Sequence, residues 1–500
     1  MKYRSPLTGV SVVMALMLVF ASGCHRTEMP NGNLPIVNKA LYDTASNFYV
    51  GFDGYPEDLR SLPIGIFDSG NGGLALLETL LTIDAFDNIT GSTKRDSIRD
   101  FAGEHFIYLA DMANMPYSNY IKEDNEAYLQ ELTIKGALFL TGDDYFTDPI
   151  EEIPSGKKPR VKIILMASHT NANSAIDPIR SMLAQSGKDI KLIEVVGAGV
   201  SAAVEELETL NPDGPFTIGI LATPETIASE VYEQSLTRAI ASRGHQWKVS
   251  VINQEVHDFA EPTDNDEDFV NPLLFAPRST YRGPVLGETL GDIRPSLLSA
   301  YNFDFSGNNM LARRRPDGNY DALQLNSTEN YVRFSIVTLL ERIRRSENPS
   351  ALRSIILGCP QYSLHLETLR QILAELREYR VDGRYPYRDL IAEEVSFIDP
   401  TIHAAIACYR TLREDRNLAF RITPTELDAF ITVPSKLLED ANLNKDGGLS
   451  YSYKYNRQTG TEALTTKAVH LSKGGISDDN MQRIGELFPV SYSLIATSLK

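Results

Sequence analysis

The chain has 500 residues, more than one typical core holds, with 42% hydrophobic and 23% charged side chains, a globular balance spread over two or more domains. Its 66 acidic residues outweigh 48 basic ones for a formal net charge of −18, which argues against nucleic acid and anionic lipid surfaces as partners. Its three cysteines, Cys24, Cys359 and Cys408, are too few for a disulfide scaffold and lack the spacing of a zinc site, and no metal is expected.

At the start, Lys2 and Arg4 precede an apolar run from Val10 to Phe20, then Ala21-Ser22-Gly23-Cys24. A charged start, a short apolar run and small residues before a cleavage point form an export signal, and the run is too short to span a bilayer. Cys24 after three small residues resembles the lipidation box of bacterial lipoproteins; an ordinary secretion signal with an incidental cysteine is the alternative. The expectation is a signal over residues 1–23 and a protein of the cell envelope, lipid-anchored to a bacterial membrane through Cys24. Residues 24–60, rich in Asn, Pro, Gly and Tyr, read as a tether.

From Leu62 the pattern becomes alternating apolar runs and helical stretches, the rhythm of parallel α/β architecture. Expected strands cover 63–67, 106–110 and 161–166 in a first half, and 216–221, 248–252 and 354–357 in a second. The two Ile-Ile-Leu strands end alike in small residues and a reactive side chain, Ser168-His169 in one and Cys359 in the other. This self-similarity predicts two pseudo-symmetric, Rossmann-like parallel-sheet domains facing a shared cleft, with ligands beyond the strands' carboxyl ends. The expected boundaries are 61–195 plus 365–415 for the first domain and 196–364 for the second. An insertion over 258–330 lies within the second. A helix over 331–345 leads into the Cys359 strand, followed by a helix over 364–379, a strand near 395–400 and a helix over 402–413. The α/β rhythm stops near 416, so 416–500 is expected to be a C-terminal extension. Within it, Asn442 to Ser450 is similar to the start of a calcium loop but lacks the leading Asp, and Tyr453 replaces the closing Glu; a plain turn is expected.

Asp68-Ser69-Gly70-Asn71-Gly72-Gly73 follows the first strand and precedes a helix. Such a turn suits close backbone approach to an anion, while Asp68 as a helix cap is the bland alternative. The run Ile64-Gly-Ile-Phe-Asp-Ser-Gly-Asn-Gly-Gly-Leu74 resembles the opening signature of glutamate racemases in the aspartate/glutamate racemase superfamily. Ile107 to Tyr117, Val195 to Ala203, Ile218 to Leu236, Ile356-Leu-Gly-Cys-Pro-Gln-Tyr362 and Phe397-Ile-Asp-Pro400 resemble later family segments in order, over about 62–415. Val195 to Ala203 matches the linker between halves.

The resemblance implies proton transfer at the α-carbon of a Glu- or Asp-like amino acid without a cofactor, between two cysteines on opposite faces. It makes Cys359 the second catalytic cysteine and Asp68 the acidic helper on the first side. Ser69, Pro116, Tyr117, Thr170 and Gln361 fall at substrate-binding positions. The departures fall on the chemistry. Ser168 stands for the first cysteine, His169 for the Asn after it, and Pro360-Gln361 for the Thr-His after the second. Serine needs an adjacent base to act; His169 either supplies it or only lines the pocket. Three readings follow: a divergent racemase, a one-cysteine decarboxylase or epimerase of the same superfamily, or a catalytically inactive carboxylate- or amino-acid-binding lipoprotein. The partners expected are a small carboxylate or amino acid and the membrane, with no nucleic acid.

Overall fold

The structure, a computed structural model, describes residues 34–70, 72–168, 174–210, 214–256, 268–419, 423–461, 464–471 and 478–498. Cys24, His169 and Thr170 lie outside these residues, as does the side chain of Gln361.

Short apolar runs become strands buried on both faces, as parallel sheets require. In the first half these are β1 (Ile64–Asp68), β2 (His105–Ala110), β3 (Ile163–Met166) and β4 (Lys191–Glu194). The second half contributes β5 (Phe216–Ala222), β6 (Val249–Glu255), β7 (Leu352–Leu357) and β8 (Ile391–Ile398). Two further strands, β9 (Glu426–Pro434) and β10 (Thr466–His470), lie in the C-terminal region. The first sheet runs β10-β9-β2-β1-β3-β4 and the second β8-β7-β5-β6. Every pairing in them is parallel except β9 with β10. All seven expected strands are present, and the fold is the expected mixed α/β arrangement of two parallel sheets.

Helix α1 (Gly73–Thr82) follows β1, and α2 (Glu126–Thr141) covers the face of the first sheet that holds Phe67, Leu109 and Ile164. The chain crosses to the second sheet through α3 (Val195–Leu210) and returns through α4 (Pro400–Glu414). These two helices meet where a Cβ on Gly199 would stand 2.8 Å from the Pro400 ring, so only glycine admits the contact. Helix α3 carries Val196, Val200 and Leu207 into a core with β5, while Ala404, Cys408 and Leu412 of α4 pack into the core of the first sheet.

Four placements differ from expectation. Residues 34–60, read as part of a tether, pack into the first core: helix Pro35–Tyr42 buries Ile36, Val37 and Ala40, and Phe48, Phe52 and Tyr55 join the same cluster. The segment 195–203, read as a linker, is the start of α3, entered directly from β4. Strand β8, expected with the first domain, pairs with β7 in the second sheet through Ile356↔Ile398. Helix Leu366–Glu378 between them buries Leu369, Ile372 and Leu373 in the second core, so the unit closes as a local strand-helix-strand crossover. The return to the first half therefore begins near 399. Finally, residues 416–500 are no detached appendix. β9 lies parallel to β2, Leu427↔Phe106 through Ile431↔Ala110, and seals that edge of the first sheet. Helix Pro489–Ser498 docks on α1, where Glu78 accepts from Val490 N at 3.1 Å and Ser491 N at 2.7 Å. The turn at Asn444 closes on itself, its Oδ1 accepting from Asp446 N and Gly448 N, both at 2.9 Å. Within the insertion, Met310–Arg314 and Tyr320–Leu325 form an antiparallel hairpin. Among the described residues no helix is long and apolar enough to cross a membrane.

The added strands carry their own electrostatic latch. Asp428 on β9 lies between His105 on β2, at 3.0 Å, and His470 on β10, at 3.8 Å. Hydrogen bonding to His105, then His470, holds the Asp428 carboxyl well below the usual carboxylate range. A carboxylate depressed on folding adds stability above its unfolded value of about 4 and loses it as pH falls towards the folded value. Asp428→Asn is therefore expected to destabilise the protein most above about pH 4, the gap from wild type closing on further acidification. Urea melts across that range check this; a gap independent of pH contradicts it.

Candidate active site at the strand tips

Where β1 ends, Asp68 turns its carboxylate back on the following loop. Its Oδ2 accepts from Gly70 N at 2.9 Å and Gly73 N at 3.0 Å, fixing the start of α1. A Cβ on Gly73 would lie 2.7 Å from the Asp68 Cβ and 2.9 Å from the Tyr108 ring, so the turn closes only around glycine. Tyr108 donates to Gly70 O at 2.9 Å. Burial, then the Asp68 charge, push its phenol well above the ordinary value, so it remains a donor.

Ser168 lies two residues past the end of β3 and is 7% exposed. Its Oγ lies 3.3 Å from Ser69 Oγ. Parallel pairing of β1 with β3 brings these hydroxyls together across 99 residues of sequence. Such a pair can hydrogen-bond an ammonium or carboxylate, but neither hydroxyl approaches the acidity of a thiol.

The loop after β2 completes this tip. Asp111 N donates to Asp68 O at 2.9 Å. The Asp111 carboxylate accepts from Asn114 Nδ2 at 2.7 Å, from Thr432 Oγ1 at 2.6 Å and from the Tyr117 hydroxyl. Burial, then Asp111, raise the Tyr117 phenol well above its ordinary value. Its proton is thus committed to Asp111, which leaves the oxygen as an acceptor. Pro116 precedes it in the same loop.

The second tip repeats the plan with a thiol. Cys359 follows β7, is 3% exposed and belongs to the second core. A Cβ on Gly358 would meet the Ala222 Cβ at 2.8 Å, which holds the tips of β7 and β5 close. Tyr362 N donates to Cys359 O at 3.1 Å, closing a turn over Pro360–His365 that includes the Gln361 backbone. Burial raises the phenols of Tyr232 and Tyr362; the Asp399 and then the Cys359 charge add to it at Tyr232, and the Cys359 charge adds to it at Tyr362. Asp399, after β8, caps α4 through Thr401 N at 2.8 Å and Ile402 N at 3.3 Å, and accepts from Ser363 Oγ. Cys359 and Cys408 are buried, are not joined in a disulfide and lie in different cores. Among the described residues no group of three or more His, Cys, Asp or Glu side chains is placed to hold a metal ion.

The structure thus brings Asp68, Ser69 and Ser168 together on one tip, sets Pro116 and Tyr117 in the loop beside them, and seats Cys359 in the other half. Asp111 lay inside a recognised motif without being singled out. Thr432 reaches it from 321 residues away, and no spacing rule finds such a partner.

Two parallel α/β halves with an Asp-capped helix and a Ser or Cys at matching strand tips define a class of two-lobed proteins with their chemistry at strand ends. Within that class the chain is similar, at modest identity, to glutamate racemases of the aspartate/glutamate racemase superfamily. It is 28% identical to the glutamate racemase of Clostridium novyi over 181 residues, 36% of this chain and 51% of that one. It is 28% identical to that of Gloeothece citriformis over 218 residues, 42% of this chain and 60% of the relative. The chain thus spans about half to three-fifths of the curated relatives it matches. Superposition on glutamate racemase RacE1 of Bacillus anthracis gives a TM-score of 0.39 at 16% identity, over 74% of this chain and 89% of that one. The enzyme of Francisella tularensis in complex with D-glutamate gives 0.38 at 19%, over 75% and 89%. No protein-family model matches the chain.

Removing the Asp68 carboxylate strands the Gly70 and Gly73 amides. Asp68→Ala is expected to cost about 1–2 kcal/mol in urea unfolding; an unchanged midpoint contradicts the capping role.

Proposed function

We propose that this divergent glutamate racemase-like protein binds a small Glu- or Asp-like amino acid between the two strand tips. There it exchanges the α-proton from one face, without a cofactor, through Cys359. The observation that carries this reading is the Ser69–Ser168 hydroxyl pair, 3.3 Å apart, on the tip where the resembling enzymes hold a thiol. In this reading the Cys359 thiolate takes the α-proton, the S–H bond forming as the C–H bond breaks. The electron pair passes to the substrate carboxylate as an enediolate. The S–H proton exchanges with solvent, and a solvent-derived proton then returns from the same sulfur to the same face. Ser168 cannot supply the opposite face unaided; His169, next in sequence, is the group to activate it. Asp68 serves the first side, while Ser69, Pro116, Tyr117, Thr170 and Gln361 contact the substrate. The D-glutamate complex of the Francisella relative supports the ligand class.

A second reading, binding without turnover, is favoured by how deeply Cys359 is buried and by the engagement of Asp68 with its own loop. Proton NMR in deuterium oxide with L- and D-glutamate and aspartate separates the two. One-faced transfer predicts loss of the α-proton signal with unchanged optical rotation, abolished in Cys359→Ala. Calorimetric binding without exchange establishes the second reading. Neither binding nor exchange, or racemisation that survives Cys359→Ala, overturns the proposal.

We further propose that the protein is lipid-anchored in the cell envelope through Cys24, on the strength of the signal and the small residues before that cysteine. Cys24→Ser is expected to move it from the membrane to the soluble fraction of expressing cells; retention in membranes contradicts this.

A further inference from the structure

The segment 451–460 lies outside the stretch that resembles racemases, yet it grips the loop that carries Pro116 and Tyr117. Lys454 Nζ donates to Met115 O at 2.6 Å. The Tyr455 hydroxyl reaches Pro116 O at 3.2 Å, and its ring packs edge-on to Tyr120 at 4.7 Å between centroids. The Asn125 amide donates to Tyr455 O at 2.8 Å and Arg457 O at 3.0 Å, tying the loop's far end to the same segment.

Arg457 is the centre of this grip. Its guanidinium is buried and lies over the Tyr128 ring at 4.7 Å. One nitrogen donates to Asn114 Oδ1 at 2.5 Å and to the Tyr120 hydroxyl at 2.7 Å; another donates to Thr465 Oγ1 at 2.9 Å. The Asn114 amide in turn donates to Asp111. Thr432, on β9, accepts from Ala113 N at 3.0 Å while donating to Asp111. Two chains of hydrogen bonds therefore run from the C-terminal region to the carboxylate that holds Tyr117. The loop also touches the Asp68 turn directly, since a Cβ on Gly70 would lie 2.7 Å from the Met115 sulfur.

We infer that Arg457 and Thr432 are positioning residues, and that the C-terminal region is an integral second wall of the ligand site. It orders residues 111–120 before ligand arrives, so that the ligand meets a preset Tyr117 oxygen and main chain. A loop held by charged and buried donors loses little further entropy on binding. The inference rests on the proposed use of Pro116 and Tyr117 as ligand contacts, and its test is separable from that use.

The experiment is hydrogen–deuterium exchange of the full chain with Thr432→Val, Arg457→Ala and Arg457→Lys, alongside calorimetry with glutamate. Peptides covering 111–122 are expected to exchange about tenfold faster in Thr432→Val and Arg457→Ala, while peptides covering β1, β5 and β7 keep wild-type rates. Arg457→Lys restores part of the protection. Glutamate affinity falls about fivefold or more in the first two variants, and Thr432→Val, which strips one donor from the buried Asp111 carboxylate, still folds cooperatively at a lowered thermal midpoint. If Arg457→Ala fails to fold, the isosteric Thr432→Val decides alone. Wild-type exchange of the loop in Thr432→Val overturns the inference, as does uniform loosening of the whole first sheet. If wild type binds no amino acid, the proposed function fails, and the exchange rates still decide whether the loop is held from the C-terminal region.

Discussion

A single carboxylate, Asp111, joins the segments that make the first strand tip. Its amide fastens it to the end of β1, and its oxygens collect donors from Asn114, Tyr117 and Thr432. A buried charge is tolerated only when such donors replace water, so the loop after β2 and the edge strand β9 are energetically coupled. Removing any one donor leaves the charge short of partners in a medium where that shortage is costly. The loop after β2, the Asp68 turn and the C-terminal region are therefore held as one assembly.

A second buried charge does similar work at the other end of the sheet. Lys162, just before β3, pairs with Glu104, just before β2, at 2.7 Å, with both side chains almost wholly buried. Lys162 also donates to Arg60 O and Asn417 O, and Glu104 accepts from Ala419 N. The pair stitches the residues before β1 and those after α4 to the entrance of the sheet. Net stabilisation from such a pair is modest, because desolvation offsets most of the attraction, but losing one partner leaves an uncompensated charge. It enforces connectivity, holding the C-terminal region where β9 can reach β2.

Most of the frame was legible because parallel strands are continuous apolar runs, and Ile-Gly-Ile-Phe and Ile-Ile-Leu cannot be much else in this rhythm. The crossing point between halves was not, because nothing in 364–400 distinguishes a strand of one sheet from a strand of the other. That distinction is made by the buried face of helix Leu366–Glu378. β9 was missed although Glu426 to Pro434 carries the right residues: Phe430, Ile431, Thr432 and Val433 are strand formers, but they come after the helix-strand alternation has ended. In the site, Asp68, Ser168 and Cys359 stood at predicted strand ends and could be named. Arg457 and Thr432 could not, since their partners lie more than 300 residues away and only the register of β9 on β2 brings them in.

The chemical character of the protein turns on an asymmetry between otherwise similar tips, a hydroxyl pair on one and a buried thiol on the other. If a substrate's α-carbon meets that thiol, ligand and thiol reagent must compete for it. The direct measurement is the alkylation rate of each cysteine by iodoacetamide, read by peptide mass spectrometry with and without saturating glutamate. One-faced chemistry at Cys359 predicts that Cys359 reacts faster than the core thiol Cys408 and that glutamate slows Cys359 alone. Equal rates for the two cysteines, or a Cys359 rate indifferent to glutamate, would contradict it.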